Sequence, residues 1–298
     1  MRPAIPVARP FRLGVILAAT FASQSLAAQQ PLGAPWDSVA RVLKAPGAVA
    51  EGVYRYSMPR RDLDVRIGDV AVAPALALGS WAGFAGEPEN ATVMGDLVVT
   101  TQELPAVLGE LARQQITVTA VHNHLVGETP RIMYVHFHGR GSALDLATRL
   151  ARVMARTGTP LPVVPGESPP VRIDTAVVFQ VLGARGRVLG NVAQMSFDLV
   201  PGAVMQHGAP LPRPLAYRSP INIQMVNRAR AVATGDFAVL GERVAAVLDS
   251  LAAHGITATA VHNHLINEQP AIYYIHFWAD GQLPSVLAGL RAAVDAAR

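Results

Sequence analysis

Two stretches of this chain carry, at one spacing, residue types that bind metals and move protons. His122, His124, Glu128 and His136 form the first set; His262, His264, Glu268 and His276 form the second, 140 residues later. Residues 119–125 (Thr-Ala-Val-His-Asn-His-Leu) recur letter for letter at 259–265, and Pro130 and Tyr134 return as Pro270 and Tyr274. His-x-His on one strand, a carboxylate just beyond it and a His on the next strand can converge on one divalent ion. Neutral imidazoles with a carboxylate suit Zn²⁺, Mn²⁺ or Fe²⁺, and three protein ligands leave one position open for chemistry. The six His are therefore candidate metal ligands, and Glu128 and Glu268 are candidate ligands or general bases. Tyr134 and Tyr274 are candidates for orienting a substrate. Asn123 and Asn263 are further binding candidates, although strand alternation turns them away from the His face.

The pattern also admits a plainer reading, in which the His form a hydrogen-bonded structural cluster copied along with the domain. Selective retention argues for a site. Around the motif the copies have drifted (Met133/Tyr273, His138/Trp278, Gly127/Asn267, Arg131/Ala271), while three His and one Glu are kept in each. Unmatched residues are discounted: His138 is at best an accessory ligand, His254 closes a helix, and His207 sits in a Pro/Gly loop. Asp96 and Asp236, each after a Gly, read first as turn formers and only second as bases.

The elements that must position these residues are legible from periodicity. Residues 52–58, 65–73 and 98–100 are β-branched and aromatic between turn residues, which predicts strands. Thr100 and Glu103 have the spacing of a capping box, and Leu104, Val107, Leu108 and Leu111 recur at helical spacing. Val244, Val247, Leu248 and Leu251 repeat that stripe. Residues 116–125 and 132–138 follow as strands joined by a loop, and a last helix carries Leu146, Leu150 and Met154, or Val286, Leu290 and Val294. If the two strands pair antiparallel, His122, His124, Tyr134, His136 and His138 share a face, in a register the letters leave open. Each unit is expected to be α+β: strands, then α-β-β-α, a mainly antiparallel sheet with about two amphipathic helices.

The expected organisation is a leader at 1–27, a first repeat domain at 31–157, a Pro/Gly linker at 158–170 and a second repeat domain at 171–298. Arg2, Arg9 and Arg12 precede an apolar run at 11–21 that is too short to span a bilayer, and Ser25-Leu26-Ala27 supplies small residues for cleavage. That is the form of a secretory signal peptide, predicting a periplasmic or secreted protein. No Cys occurs anywhere in the chain, so lipid attachment and thiolate chemistry are excluded, and no stable membrane anchor is expected after cleavage. Of the formal charge of +4, three charges belong to the leader, leaving about +1. Nucleic acid is accordingly not an expected partner; an envelope ligand or small molecule is. Nucleotide, flavin, nucleophile-elbow and His-Glu-x-x-His signatures are all missing.

With these residues in view, the chain resembles the LppY/LpqO family of exported bacterial proteins, a domain of unknown function. The likeness rests on Gly95-Asp96, residues 119–125, Pro130 and the aromatic strand 133–138, and again on Gly235-Asp236 and 259–278. It implies membership without an activity. Three functions stay open at this stage: a metal-dependent hydrolase, a non-catalytic periplasmic ligand-binding protein, and a structural module with hydrogen-bonded His clusters.

Overall fold

The structure is a computed structural model; it describes residues 32–164, 173–206 and 208–298. The predicted leader and most of the linker's Pro-rich half lie outside those residues. Residues from Pro31 to Arg298 form one compact unit. Its first half runs α1 (Ala34–Leu43), β1 (Gly47–Ala50), β2 (Val53–Pro59), β3 (Arg66–Ile67), β4 (Val70–Ala71), α2 (Pro74–Ala77), β5 (Gly79–Glu87), β6 (Asn90–Thr100), α3 (Leu104–Arg113), β7 (Thr117–His122), β8 (Ile132–Gly141) and α4 (Ala143–Met154). The second half repeats this as α5 (Thr175–Leu182), β9 (Gly186–Leu189), β10 (Val192–Phe197), β11 (Met205–Gln206), β12 (Ala209–Pro210), α6 (Arg213–Ala216), β13 (Ser219–Met225) and β14 (Arg230–Leu240). It closes with α7 (Val244–Ala253), β15 (Thr257–His262), β16 (Glu268–Gln269), β17 (Ile272–Gln282) and α8 (Leu283–Ala296).

Each half is built on a six-stranded antiparallel sheet, in the orders β1-β2-β5-β6-β8-β7 and β9-β10-β13-β14-β17-β15. The α+β reading holds, with an opening helix in each half that the strand-first expectation lacked. The predicted capping box forms: Glu103 N donates to Thr100 Oγ1 at 3.2 Å while Thr100 N donates to Glu103 Oε2 at 2.8 Å. Two orphan amides at the start of α3 are thereby satisfied. Its stripe buries Val107 and Leu111, and α4 buries Leu146, Leu150 and Met154. The run 98–100 is the end of the eleven-residue β6, and 65–73 is the small β3–β4 hairpin.

Alternation along the strands sorts side chains into two layers. Val93, Leu97, Val99, Val135 and Phe137 face α1, α3 and α4 in one core, and their counterparts, such as Phe237 and Phe277, face α5, α7 and α8 in another. The opposite faces carry no long helix. They meet each other: Met94 of the first sheet shares a cluster with Leu215, Leu265 and Tyr274, and Tyr134 shares one with Val192 and Val232. The layers are thus helices, sheet, sheet, helices. Side chains of the second sheet reach backbone around α2, with Asn222 Nδ2 donating to Leu76 O at 2.8 Å and Gln194 Nε2 to Ala75 O. No described helix is long and apolar enough to cross a membrane.

The start of the predicted linker is held against the first half. Gly158 N donates to Glu103 Oε1, and Val163 N donates to Lys44 O at 3.0 Å. Leu161 and Val163 pack on the first core.

Candidate metal centre

Strand register settles which side chains share the inner face. His122 opposes Tyr134 and Ala120 opposes His136 in β7·β8, with a bulge at residue 119 between Val118 and Ala120. In β6·β8, Asp96 opposes His136 directly; in the second sheet Asp236 opposes His276. The Gly before each Asp has a steric purpose. A Cβ at Gly95 would come within 2.2 Å of Trp81 O and 2.5 Å of the Phe137 ring, and one at Gly235 within 2.1 Å of Pro220 O. These pairs sit in mid-strand, so the turn reading of Gly-Asp is corrected. Each Asp belongs beside a His. β7 ends at His122 and β15 at His262, earlier than the predicted strand end at 125, so His124 and His264 project from the bends that follow.

The two His sets meet in one cluster between the sheets. His122 stacks on His262 with ring centroids 3.9 Å apart, His124 on His276 at 3.8 Å, and His136 on His264 at 3.7 Å. Every one of these pairs joins the two halves. The two candidate sets thus form one composite cluster. Three groupings place potential ligand atoms within 4.8 Å of one another: His122, His124 and His136; His122, His262, His264 and His276; and His124, Asp236 and His276.

Burial makes the cluster chemically unusual. Ten buried side-chain polar atoms among the described residues have no hydrogen-bond partner, and eight belong here. They are both nitrogens of His122, Nε2 of His124, His136, His262, His264 and His276, and Oδ1 of Asp96. A buried polar group without a partner costs about 1–3 kcal/mol, so this concentration is expensive unless something binds it.

The electrostatics favour neutral rings. Burial, reinforced by neighbouring imidazoles, lowers the pKa of His122, His124, His136 and His264, and lowers His262 to about 4. The Asn123 backbone opposes the shift at His122 without forming a hydrogen bond of good geometry. His276 departs from the rest. Burial disfavours its cation, but Asp236 Oδ1 at 2.7 Å from Nδ1 outweighs that and raises its pKa. Asp96 is held more loosely, at 3.6 Å from His136 Nε2 and 3.8 Å from His124 Nε2. Burial and the nearby Asp236 push Asp96 up to about 7.

Other predicted residues take different places. Glu128 and Glu268 stand in none of the three groupings. Their Oε1 atoms accept from the amides of Ile132 at 3.3 Å and Ile272 at 3.0 Å, bracing the loop four residues on, while Glu128 Oε2 is buried without a hydrogen-bond partner. A short loop turns one carboxylate oxygen back on its own backbone.

The hydroxyls of Tyr134 and Tyr274 are spent on the carbonyls of Ala77 and Ala216. Both side chains are buried, and their rings lie 3.7 Å from those of His124 and His264. They form walls under the imidazoles. Asn123 Nδ2 donates to Leu125 O and, across the halves, to Thr259 O, whereas Asn263 Nδ2 donates to Ile272 O. Both side-chain amides donate to backbone carbonyls. His138 is in none of the groupings, His254 Nδ1 lies 2.8 Å from Ser250 O at the end of α7, and His207 lies outside the described residues. The residues missed as site members are Asp96 and Asp236, whose signal was their retention beside Gly in both copies.

The chain belongs to the family described as Domain of Unknown Function (DUF1259), whose model matches residues 37–156 and again 176–296. Its His/Asp groups could hold a metal ion. No curated protein matches the chain. Among solved structures, a fused permuted hexameric shell protein of the RMM microcompartment matches 70% of this chain and 85% of its own, at 14% identity and a TM-score of 0.18. That superposition is too poor to bear on fold or function.

Proposed function

We propose that this protein is an exported divalent-metal-binding protein in which both halves build one centre. The observation that carries the reading is the set of seven buried imidazole nitrogens without hydrogen bonds, contributed by both halves. Donors of this kind are dominated by neutral imidazole, which suits Zn²⁺ or Fe²⁺ better than hard, all-oxygen cations. Mn²⁺ fits less well, since only one carboxylate, Asp236, stands in the three groupings. Hydrolysis, with an ion polarising the substrate, is the reaction class we assign to such a centre. Asp96, near both His124 and His136, is the carboxylate placed to exchange a proton there. Export and the LppY/LpqO type belong to the same proposal; the basic, apolar and small-residue order of the first 27 residues supports the first, and the doubled His-Asn-His supports the second.

The test is elemental analysis of untagged protein lacking residues 1–27, as purified and after dialysis against Zn²⁺, Mn²⁺ or Fe²⁺. Metal is expected at one or more ions per chain, falling sharply in the double variant His124→Ala/His264→Ala. Wild-type protein that retains no metal under any of these conditions would overturn the reading.

A further inference from the structure

The six imidazoles are not equivalent, and one of them occupies the middle. The His122 ring centroid lies 5.0 Å from His124, 5.0 Å from His136, 3.9 Å from His262, 5.1 Å from His264 and 5.0 Å from His276. It therefore contacts the remaining ligands of its own half and all three of the other half. It is also the one imidazole among the described residues with both ring nitrogens buried and unbonded. The other five each have a single nitrogen in that condition. Finally, His122 is the only residue common to the grouping with His124 and His136 and the grouping with His262, His264 and His276.

Imidazole has two in-plane lone-pair positions on opposite sides of the ring once its proton is gone. A ring with ligands crowded on one side only would direct one nitrogen to a metal and give the other to a carbonyl, carboxylate or water. His122 has ligand sets around it from both halves and no such second partner.

We infer that His122 bridges two divalent ions as an imidazolate, one ion held with His124 and His136 and the other with His262, His264 and His276. The inference rests on the metal-binding reading above and goes beyond it in stoichiometry and in the role of a single residue. The proton balance is simple. Neutral His122 carries one N–H; occupation of both nitrogens displaces that proton to the buffer, as metal binding to protonated ligands generally does. The asymmetry of the copies follows from the same arrangement. His262, the sequence counterpart of His122, is only partly buried, and its Nδ1 lies 3.1 Å from Asn263 O, so it offers one nitrogen and ends the cluster at the rim.

Cu²⁺ is the probe, because two copper ions joined through one imidazolate couple magnetically while isolated ones do not. Metal-free protein is titrated with Cu²⁺, and bound copper is compared with the spin intensity in the low-temperature electron paramagnetic resonance spectrum. Wild type is expected to bind two ions per chain with spin intensity well below two. His122→Gln is expected to restore one unpaired spin per bound copper, and His254→Ala, outside the cluster at the end of α7, to leave the pair coupled as in wild type. Circular dichroism checks that the variants fold. If His122→Gln does not fold, the wild-type spin count with that of His254→Ala decides the matter. One ion per chain at saturation, or two with full spin intensity, would overturn the bridge while leaving the metal-binding reading standing. No bound copper, together with no Zn²⁺, Mn²⁺ or Fe²⁺ in the elemental analysis, would remove both.

Discussion

The halves of this protein write the same seven letters and use them differently. In the first, His122 is buried at the centre of six rings; in the second, His262 sits at the rim. In the first, Asp96 stands 3.6 Å from His136; in the second, Asp236 grips His276 at 2.7 Å. Thr259 donates through its hydroxyl to His124 O, and Asn123 donates back to Thr259 O; among the described residues neither Thr119 nor Asn263 makes the reciprocal bond. An approximate two-fold brings like residues together, but two side chains cannot share one central position. One copy takes it. Duplication here supplies two unequal ligand sets for one centre.

The largest expected effect is on the metal-free protein and uses the contrast between five neutral rings and one favoured cation. His122, His124, His136, His262 and His264 have lowered folded-state pKa values, whereas the unfolded chain titrates near 6.5. Below that pH the unfolded state binds more protons, so stability falls as pH falls, by up to about 1.4 kcal/mol per unit for each group. Raised His276 and raised Asp96 oppose this. Asp96 gives up its contribution as pH climbs toward about 7, and His276 gives up its own as pH rises through its folded value. Five groups against two predict a net loss of several kcal/mol between pH 7 and 5, read by urea unfolding in the presence of a chelator. His276→Gln should steepen the loss by removing the second half's cation. A flat profile would break the description of a neutral cluster.

Next in size is the unequal pair of substitutions at the repeated position. His122→Ala should cost more metal affinity than His262→Ala, since it removes a ligand from both sets, and each loss should exceed the about 10–100-fold of a supporting partner. Competition with a chromophoric chelator measures both. Equal losses would mean that the central and rim positions are energetically the same.

The carboxylates give a smaller contrast. Asp236→Asn removes the group that fixes His276 and should weaken metal binding by about 10-fold or more, with Asp96→Asn costing less because its contacts are longer. An inverted order by isothermal titration would show that the looser carboxylate matters more. Smallest is Tyr134→Phe beside Tyr274→Phe. Each loses one hydrogen bond to a backbone carbonyl, worth about 1 kcal/mol in thermal or urea unfolding, with metal content unchanged. A drop in metal content there would return the phenols to the site.

Much of the local structure was legible because its causes are local. Thr100 and Glu103 cap a helix through atoms three residues apart, and the Leu/Val stripes follow from 3.6-residue geometry. The His were legible as a site because alternation puts His122, Tyr134 and His136 on one sheet face wherever the chain folds. Glu128 was less legible for a related reason. Closeness in sequence suggested closeness in space, but its carboxylate finds the Ile132 amide first. Asp96 was underrated because Gly-Asp is a common turn pair, and only the approach of the Trp81 carbonyl and the Phe137 ring explains that glycine.

The sequence by itself determined the duplication, the α+β class, the two later helices of each half and the identity of the six imidazoles. Those depend on residue type and short-range periodicity. Tertiary structure alone decided that the two sets form one cluster, that Asp96 and Asp236 join it, and that His122 lies at its centre. These depend on the packing of two helix-free sheet faces, whose partners are more than a hundred residues apart. No local pattern encodes which of two identical side chains will occupy a position that only one can fill.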